Sequence, residues 1–302
     1  MSNPSQTSAW IKAMPVVFVL IWSTGFIVAR YGMPHAPPFS FLLVRYFFSI
    51  LCFLIWIGLT RVAWPRDRAQ WLHLAVTGIL MHAGYLGGVW AAVKAGMGSG
   101  LSSLIVGFQP VLTAIWLSWS LRSSDQPGVT PRQWLGLSLG FAGLLMVVWR
   151  KLTLGSAMDH VTPVNMAFAI GAMFSITIGT LYQKHFVKPC DVRSANAVQL
   201  LAAFVVTLPL AWAEPETMRW NAESVGAMAW AVLGLTLGGS SLLYILIQRG
   251  AAATVSSLMY MVPPTTAIIA WVLFGETITT ATILGTALTA LGVSLVVRPS
   301  RR

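Results

Sequence analysis

Ten apolar stretches, each long enough to cross a lipid bilayer as a helix, follow one another along this chain with only short polar connections between them. They cover residues 12–32, 39–60, 70–93, 97–121, 131–150, 163–183, 194–213, 224–248, 251–274 and 279–297. About 20 apolar residues are needed for a helix to cross roughly 30 Å of hydrocarbon. The sequence therefore predicts an all-α polytopic membrane protein with ten transmembrane helices, in contact with the lipid bilayer and without a separate soluble domain.

Composition and charge agree with this class and exclude others. Only 9% of the 302 residues are charged and 56% are hydrophobic, whereas soluble domains carry about 25% charged residues. The net charge of +11 would suggest nucleic acid in a soluble chain. Here the basic residues lie mainly in the short connections, so no nucleic-acid partner is predicted.

The Lys and Arg distribution predicts the orientation in the membrane. With the amino terminus in the cytoplasm, thirteen of these residues fall on the cytoplasmic side and five on the other side. Cytoplasmic connections are enriched in Lys and Arg. We therefore expect both termini in the cytoplasm, which an even number of spans also requires.

A short pattern occurs twice in the chain. Gly96, Ser102-Ser103-Leu104 and Pro110 are matched 154 residues later by Gly250, Ser256-Ser257-Leu258 and Pro264. At the same offset Arg45 corresponds to Gln199, and Trp90 to Tyr244. Five spans in each half give the second half the opposite orientation, an inverted repeat typical of transporters. We expect residues 1–155 and 156–302 to be the two five-helix repeats of one membrane domain.

Prolines interrupt the two corresponding spans at the same depth. Pro110, Pro263 and Pro264 lack a backbone donor, and each disrupts the bond to the carbonyl four residues earlier. A free carbonyl inside the bilayer is tolerated beside protein or a watery cavity. We interpret the three prolines as helix-break or gating positions at a central cavity; a packing kink without substrate contact is the alternative.

Few ionisable residues lie deep within the predicted spans, and His82 and Arg45 are the two that bear on function. His82 is near the centre of span 3, where it is either a neutral, hydrogen-bonded imidazole or a proton-responsive group. Arg45 lies about two turns inside span 2, and we favour an outward-reaching side chain slightly over anion binding. No Asp or Glu falls within the interior of a span, which disfavours proton-coupled export of organic cations.

The candidate substrate-binding residues are aromatic and polar side chains within the spans. The aromatic rings would form apolar walls, and the hydroxyl and amide groups would orient polar parts of a small neutral, zwitterionic or aromatic solute. They are Trp22, Ser23, His82, Tyr85, Ser102, Gln109, Tyr182, Tyr244 and Tyr260. The histidines lack metal-ligand spacing and no Walker sequence is present. No enzyme activity, metal or cofactor is therefore predicted.

Several ordered motifs resemble those of a known family. They are Trp22-Ser23-Thr24-Gly25-Phe26, Phe41-Leu42-Leu43-Val44-Arg45, the two Ser-Ser-Leu to Pro segments and Gly275-Glu276. The chain resembles the ten-helix EamA-type exporters of the drug/metabolite transporter superfamily over essentially its whole length. The resemblance implies inverted five-helix halves, with spans 1, 3, 4, 6, 8 and 9 around a central cavity. It also implies the bacterial inner membrane and export of amino acids or related metabolites. One departure is Leu121-Arg122, where the family usually has a second Gly-Glu pair.

These observations predict a secondary transporter that exports small metabolites by alternating access. A passive channel or facilitator and a drug or organic-cation efflux carrier are the alternatives. Glycines on spans 5 and 10 are predicted to pair either the two halves of one chain or two copies of the chain in a homodimer. They are Gly136, Gly140, Gly143, Gly285 and Gly292.

Overall fold

The computed structural model describes residues 4–120, 131–154, 161–248 and 261–297, and these residues form ten helices and no strand. The helices are α1 (Pro4–Gly32), α2 (Pro38–Thr60), α3 (Arg68–Gly78, Ile79–Gly84 and Tyr85–Lys94), α4 (Ser99–Val106 and Gln109–Ser120), α5 (Pro131–Leu154), α6 (Pro163–Phe186), α7 (Val192–Trp212), α8 (Ala222–Trp230, Ala231–Ser240 and Ser241–Gln248), α9 (Val262–Phe274) and α10 (Thr280–Val297). The predicted all-α polytopic class is confirmed. The first part of the predicted ninth span, residues 251–260, lies outside the described residues.

The distribution of polar and apolar side chains is that of a protein surrounded by lipid. Six of the described helices are long and apolar enough to cross a membrane: α1, α2, α3, α6, α7 and α8. Large apolar side chains such as Leu59 and Trp212 are exposed, whereas Ser23, Ser49 and Asn165 are completely buried. Lipid is as apolar as the protein interior, so exposed leucine costs little there and polar groups are confined to the inside.

Several connections are fixed by side chains that cap helices. Asp67 and Asp191 accept a backbone hydrogen bond at the starts of α3 and α7. Asp191 also accepts two bonds from the Arg193 guanidinium, at 2.9 and 2.7 Å. These contacts lower the pKa of Asp191 below its ordinary value, and the hydrogen bond from Arg193 is the main cause.

Glycine surfaces let α5 and α10 approach closely along their length. Gly143 lies against Gly285, and Gly292 lies against Gly136 and Gly140. The Thr289 hydroxyl donates a 2.8 Å hydrogen bond to the Gly285 carbonyl within α10. The glycines of the two helices therefore face each other inside one chain, and this surface is not available to a second copy. A homodimer stays a prediction.

Three of the described helices depart from regular α-helical geometry. A wide, π-helical segment occupies Ile79–Gly84 in α3 and Ala231–Ser240 in α8. Helix α4 is interrupted between Val106 and Gln109, next to Pro110. In α9 the described helix begins at Val262. A Cβ atom placed on Gly107 would lie 2.7 Å from Pro263 Cγ, so the α4 interruption packs directly against the start of described α9.

Buried Glu276 joins α4 to the connection after α9. Its carboxylate accepts hydrogen bonds from Ser99 N at 3.1 Å, Ser99 Oγ at 2.6 Å and Gly100 N at 3.3 Å. A carboxylate is favourable at a helix amino terminus because it compensates unpaired N–H groups and the helix dipole. We call this end of the molecule the Glu276 end and the opposite one, where α3 and α7 begin, the Asp191 end.

The glycine contact between α5 and α10 generates a stability prediction. Gly285→Val places methyl groups against the Gly143 carbonyl and Val147, where a Cβ already has no room. We expect the free energy of unfolding to fall by roughly 1–3 kcal/mol, the usual cost of overpacking. Gly171→Val on α6 is the matched control, because a Cβ atom added at Gly171 would meet nothing within 4 Å. Thermal unfolding in detergent measures both, and equal losses would contradict the assigned packing.

Candidate functional site

A central cavity lies between α1, α2, α3, α6, α7 and α8. Its empty space is about 650 Å³, counting the part open to the surroundings. The lining residues are Trp22, Gly25, Phe26, Arg45, Met81, His82, Tyr85, Leu86, Val89, Trp90, Gln183, Asn196, Gln199, Leu235, Ser240, Leu243 and Tyr244.

Four of the predicted site residues come together in this lining: Trp22, His82, Tyr85 and Tyr244. The Trp22 and Tyr85 rings are nearly parallel, with an interplanar angle of 3° and centroids 6.3 Å apart. Tyr244 Oη lies 3.0 Å from Cys190 Sγ. The cavity therefore has aromatic walls contributed by α1, α3 and α8. Contact of these side chains with a substrate stays a prediction.

Four other predicted residues lie away from the cavity lining. Ser23 and Ser102 donate to carbonyls of their own helices, Val19 O at 2.7 Å and Gly98 O at 3.0 Å. Gln109 Nε2 donates to Thr180 Oγ1 on α6 at 3.1 Å. Tyr182 Oη lies 2.8 Å from His73 Nδ1. In this conformation the polar groups of these four residues form hydrogen bonds with other groups of the protein. The ninth predicted residue, Tyr260, lies outside the described residues.

The predicted helix-break prolines lie next to the interruption of α4 and at the start of described α9. Pro110 is the second residue of Gln109–Ser120, after the break in α4. Pro263 and Pro264 lie in the first turn of described α9. Pro263 packs against Gly107 of α4, and none of the three prolines is in the described cavity lining. A gating role stays a prediction.

Sequence reasoning misjudged Arg45. Its side chain does not reach outward: the residue is only 3% exposed and lines the cavity. Arg45 Nε donates a 3.0 Å hydrogen bond to Thr236 Oγ1. Thr236 lies in the wide segment of α8, where its hydroxyl donates to Ala231 O at 2.9 Å. The irregular turn of α8 thus supplies the acceptor that fixes the guanidinium.

Three amide side chains in the lining were also missed: Gln183, Asn196 and Gln199. Gln199 is 3% exposed, and its Nε2 has no hydrogen-bond partner among the described residues. Asn196 Nδ2 donates to Val192 O at 2.8 Å. The repeat contained a signal for part of this group, because both members of the pairs Arg45/Gln199 and Trp90/Tyr244 line the cavity.

The wide segment of α3 is tied to the neighbouring helix. Tyr46 Oη on α2 donates a 2.8 Å hydrogen bond to the His82 carbonyl. Such π-helical turns are rare and occur frequently at functional sites. Here the turn places Met81, His82 and Tyr85 in the lining. Among the described residues, no group of His, Cys, Asp and Glu could hold a metal ion.

The sequence model of the EamA-like transporter family matches residues 9–149 and 164–298. The chain belongs to this family. It is therefore a membrane transporter of the drug/metabolite transporter superfamily and not an enzyme, as the sequence predicted.

Relatives of this EamA protein share its length and class. The uncharacterized transporter YvbV of Bacillus subtilis is 24% identical over 92% of this chain and 88% of its own. The uncharacterized inner membrane transporter YedA of Escherichia coli K12 is 25% identical over 86% and 81%. A probable amino-acid metabolite efflux pump of Salmonella typhimurium is 21% identical over 93% and 92%.

A solved structure also has a similar fold. One crystal structure of a protein matches with a TM-score of 0.68 and 16% identity, covering 94% of this chain and 95% of that chain. At this identity the likeness concerns the fold alone. It supports the polytopic helical architecture of the EamA chain.

The cavity generates a prediction at Gly25. A Cβ atom there would lie 3.6 Å from Leu235, an ordinary contact, and a longer side chain would extend into the cavity. We expect Gly25→Leu to weaken binding of a stabilising solute at least tenfold while leaving the unliganded melting temperature within a few degrees. Gly58→Leu is the control, because Gly58 is an exposed residue of α2 and nothing lies within 4 Å of its Cβ position. Thermal-shift titration with a metabolite panel checks this, and undiminished binding by Gly25→Leu would remove the cavity as the site.

Proposed function

We propose that this EamA transporter is a secondary carrier that exports small metabolites across the bacterial inner membrane by alternating access. The central cavity is its substrate site. The observation that carries the proposal is the pairing within the lining: Arg45 and Gln199, and Trp90 and Tyr244, are related by the 154-residue repeat and border the same space. A site at the interface of two repeats is typical of secondary transporters.

The two-repeat organisation, residues 1–155 and 156–302, is supported by the irregular helices. Adding the offset of 154 to the wide segment at residues 79–84 gives 233–238, which lie within Ala231–Ser240. The family model also matches the chain twice, once in each proposed half. Two similar halves in opposite orientations can exchange conformations, which opens the shared site first to one side and then to the other.

The lining favours small solutes with an apolar body and few polar groups. Trp22, Tyr85 and Trp90 supply ring surfaces, and Asn196 and Gln199 supply amides. The relative named as a probable amino-acid metabolite efflux pump agrees with this chemistry. Amino acids and related aromatic or zwitterionic metabolites are the proposed cargo.

The two alternatives have less support. A selective channel usually has rings of charge or carbonyls along a water path, whereas the described lining contains one charged side chain, Arg45. An organic-cation carrier would be expected to place a carboxylate in the site. The described lining contains none, and Arg45 would repel a cation.

Counterflow tests the carrier mechanism. Purified protein in proteoliposomes loaded with an unlabelled solute should accelerate uptake of the labelled solute, because a loaded carrier returns faster than an empty one. The flux should also saturate. Solutes that stabilise the protein in a thermal-shift panel are the ones to use. Linear flux without trans-stimulation would favour the channel over the carrier.

Topology mapping tests the inverted orientation. An alkaline phosphatase fusion after Arg302 should be inactive, because we place the carboxyl terminus in the cytoplasm. A fusion in the connection at residues 213–221 should be active, and one at residues 187–191 inactive. Phosphatase folds only outside the reducing cytoplasm. An active fusion after Arg302 would contradict the proposed arrangement of the halves.

A further inference from the structure

We infer that the cavity selects solutes carrying one carboxylate, which binds Arg45, and that it needs no positively charged group on the solute. This inference rests on the proposed function because it assumes that the cavity is the transport site. It narrows the cargo from amino acids and related metabolites to monocarboxylates with an apolar body.

The chain provides no carboxylate for Arg45 among the residues that the structure describes. Six of its eight acidic residues are described. Each of the six contacts another polar or charged group at either the Asp191 end or the Glu276 end of the molecule. Asp67 and Asp191 pair with Lys188 and Arg193 at the Asp191 end. The other four described acids lie at the Glu276 end. They are Glu214, which accepts from Ser40 N, Glu216 with Lys94, Glu223 with His35, and Glu276 with Ser99.

The two remaining acids, Asp125 and Asp159, lie outside the described residues, in connections between the predicted spans. No Asp or Glu occurs in the sequence of residues 249–260 either. An ionised side chain inside a membrane protein is costly unless it pairs with an opposite charge or faces water. Arg45 is buried beside a cavity, so an anionic solute would supply the missing charge.

The Arg45 guanidinium is fixed on one side by a neighbouring helix. Its Nε is engaged by Thr236 Oγ1 at 3.0 Å. That bond does not involve the two terminal nitrogens of Arg45, and the side chain lines the cavity. Arginine binds a planar carboxylate through two parallel N–H bonds. Thr236 thus fixes the Nε side of the guanidinium, and the two terminal nitrogens can donate to a ligand.

Gln199 provides an independent indication of a ligand. It borders the same cavity from α7, is 3% exposed, and its Nε2 donor is unpartnered within the described chain. Buried donors are rarely left without an acceptor, and the three other unpartnered buried groups in the described chain, the hydroxyls of Ser49, Thr207 and Ser241, lie outside the cavity lining. A carboxylate has two oxygens and about four acceptor positions, so one such group could accept from Arg45 and Gln199 together.

The rest of the lining determines what the carboxylate is attached to. Trp22, Phe26, Leu86, Trp90 and Leu235 form apolar walls. The described lining has no acidic side chain that would pair with an ammonium group. Its single positive charge matches one carboxylate, whereas a phosphate or phosphonate dianion would bring a second charge without a partner. We therefore expect aromatic or aliphatic monocarboxylates to bind better than the corresponding amines.

Four solutes of similar shape test the selectivity on the full-length purified protein. They are 3-phenylpropionate, 3-phenylpropanol, 3-phenylpropylamine and 2-phenylethylphosphonate, compared by thermal shift and titration calorimetry. We expect 3-phenylpropionate to bind at least tenfold more tightly than the other three. Equal affinity for the alcohol or the amine would overturn the carboxylate assignment, and tighter binding of the phosphonate would replace it by a phosphate-type group.

Variants test the residues assigned to the carboxylate. Arg45→Gln should weaken 3-phenylpropionate binding at least tenfold and leave the weak binding of 3-phenylpropanol unchanged. Gln199→Leu should weaken only the acid, by a smaller factor. Arg66→Gln, an exposed residue in the connection before α3, is the control that removes the same charge and should bind like the unmodified chain. If Arg45→Gln does not fold, Gln199→Leu and the four-solute comparison decide; unchanged acid binding in either folded variant contradicts the inference.

Transport separates this inference from the proposed function. Counterflow of 3-phenylpropionate in proteoliposomes supports both. Saturable counterflow of neutral solutes or amines without any for the acid would overturn the carboxylate selectivity and leave the carrier intact. Binding of the acid without counterflow of any solute would instead contradict the carrier mechanism.

Discussion

The absence of water from the hydrocarbon of a membrane governs the polar groups of this protein. A hydroxyl or amide inside the bilayer must find its partner within the protein. Ser23, Ser102 and Thr177 do so by donating to carbonyls one turn earlier in their own helices. Groups that do not satisfy themselves locally are therefore informative. Among the described residues four buried side chains have a polar atom without a partner, those of Ser49, Gln199, Thr207 and Ser241, and of these Gln199 borders the central cavity.

The same constraint explains where the helices depart from regular geometry. A wide turn leaves backbone groups in need of partners, and in α3 the His82 carbonyl accepts from Tyr46 Oη. In α8 the wide turn positions Thr236 between Ala231 O and the Arg45 guanidinium. Both turns line the cavity on one side and contact neighbouring helices on the other. Irregular backbone at this depth is tolerated because it is enclosed by protein or borders a cavity.

The sequence predicts the helices well and the site only in part. The predicted span 39–60 matches Pro38–Thr60 because apolar length and Pro or charged boundaries are local properties. Ser102 and Gln109 were grouped with the site because they share a helical face, but that face packs on neighbouring helices. The rotation of a helix in a bundle, and the shift in register across a wide turn, depend on contacts that one sequence does not reveal. Arg45 was misjudged for the same reason, since its reach depends on whether α7 and α8 enclose it.

In the proposed carrier, a symmetric scaffold encloses a chemically asymmetric site. The repeat places Arg45 and Gln199 at equivalent positions, so the two helices can present a side chain to the same space. Only one of the two positions is charged. An anion in the cavity would consequently be held toward α2 and α8 by the guanidinium and its Thr236 anchor, while the Gln199 amide of α7 adds a neutral donor. The two halves can exchange conformations without having identical side chains, because the exchange depends on their similar backbone geometry. The unequal side chains can then fix the orientation of the solute.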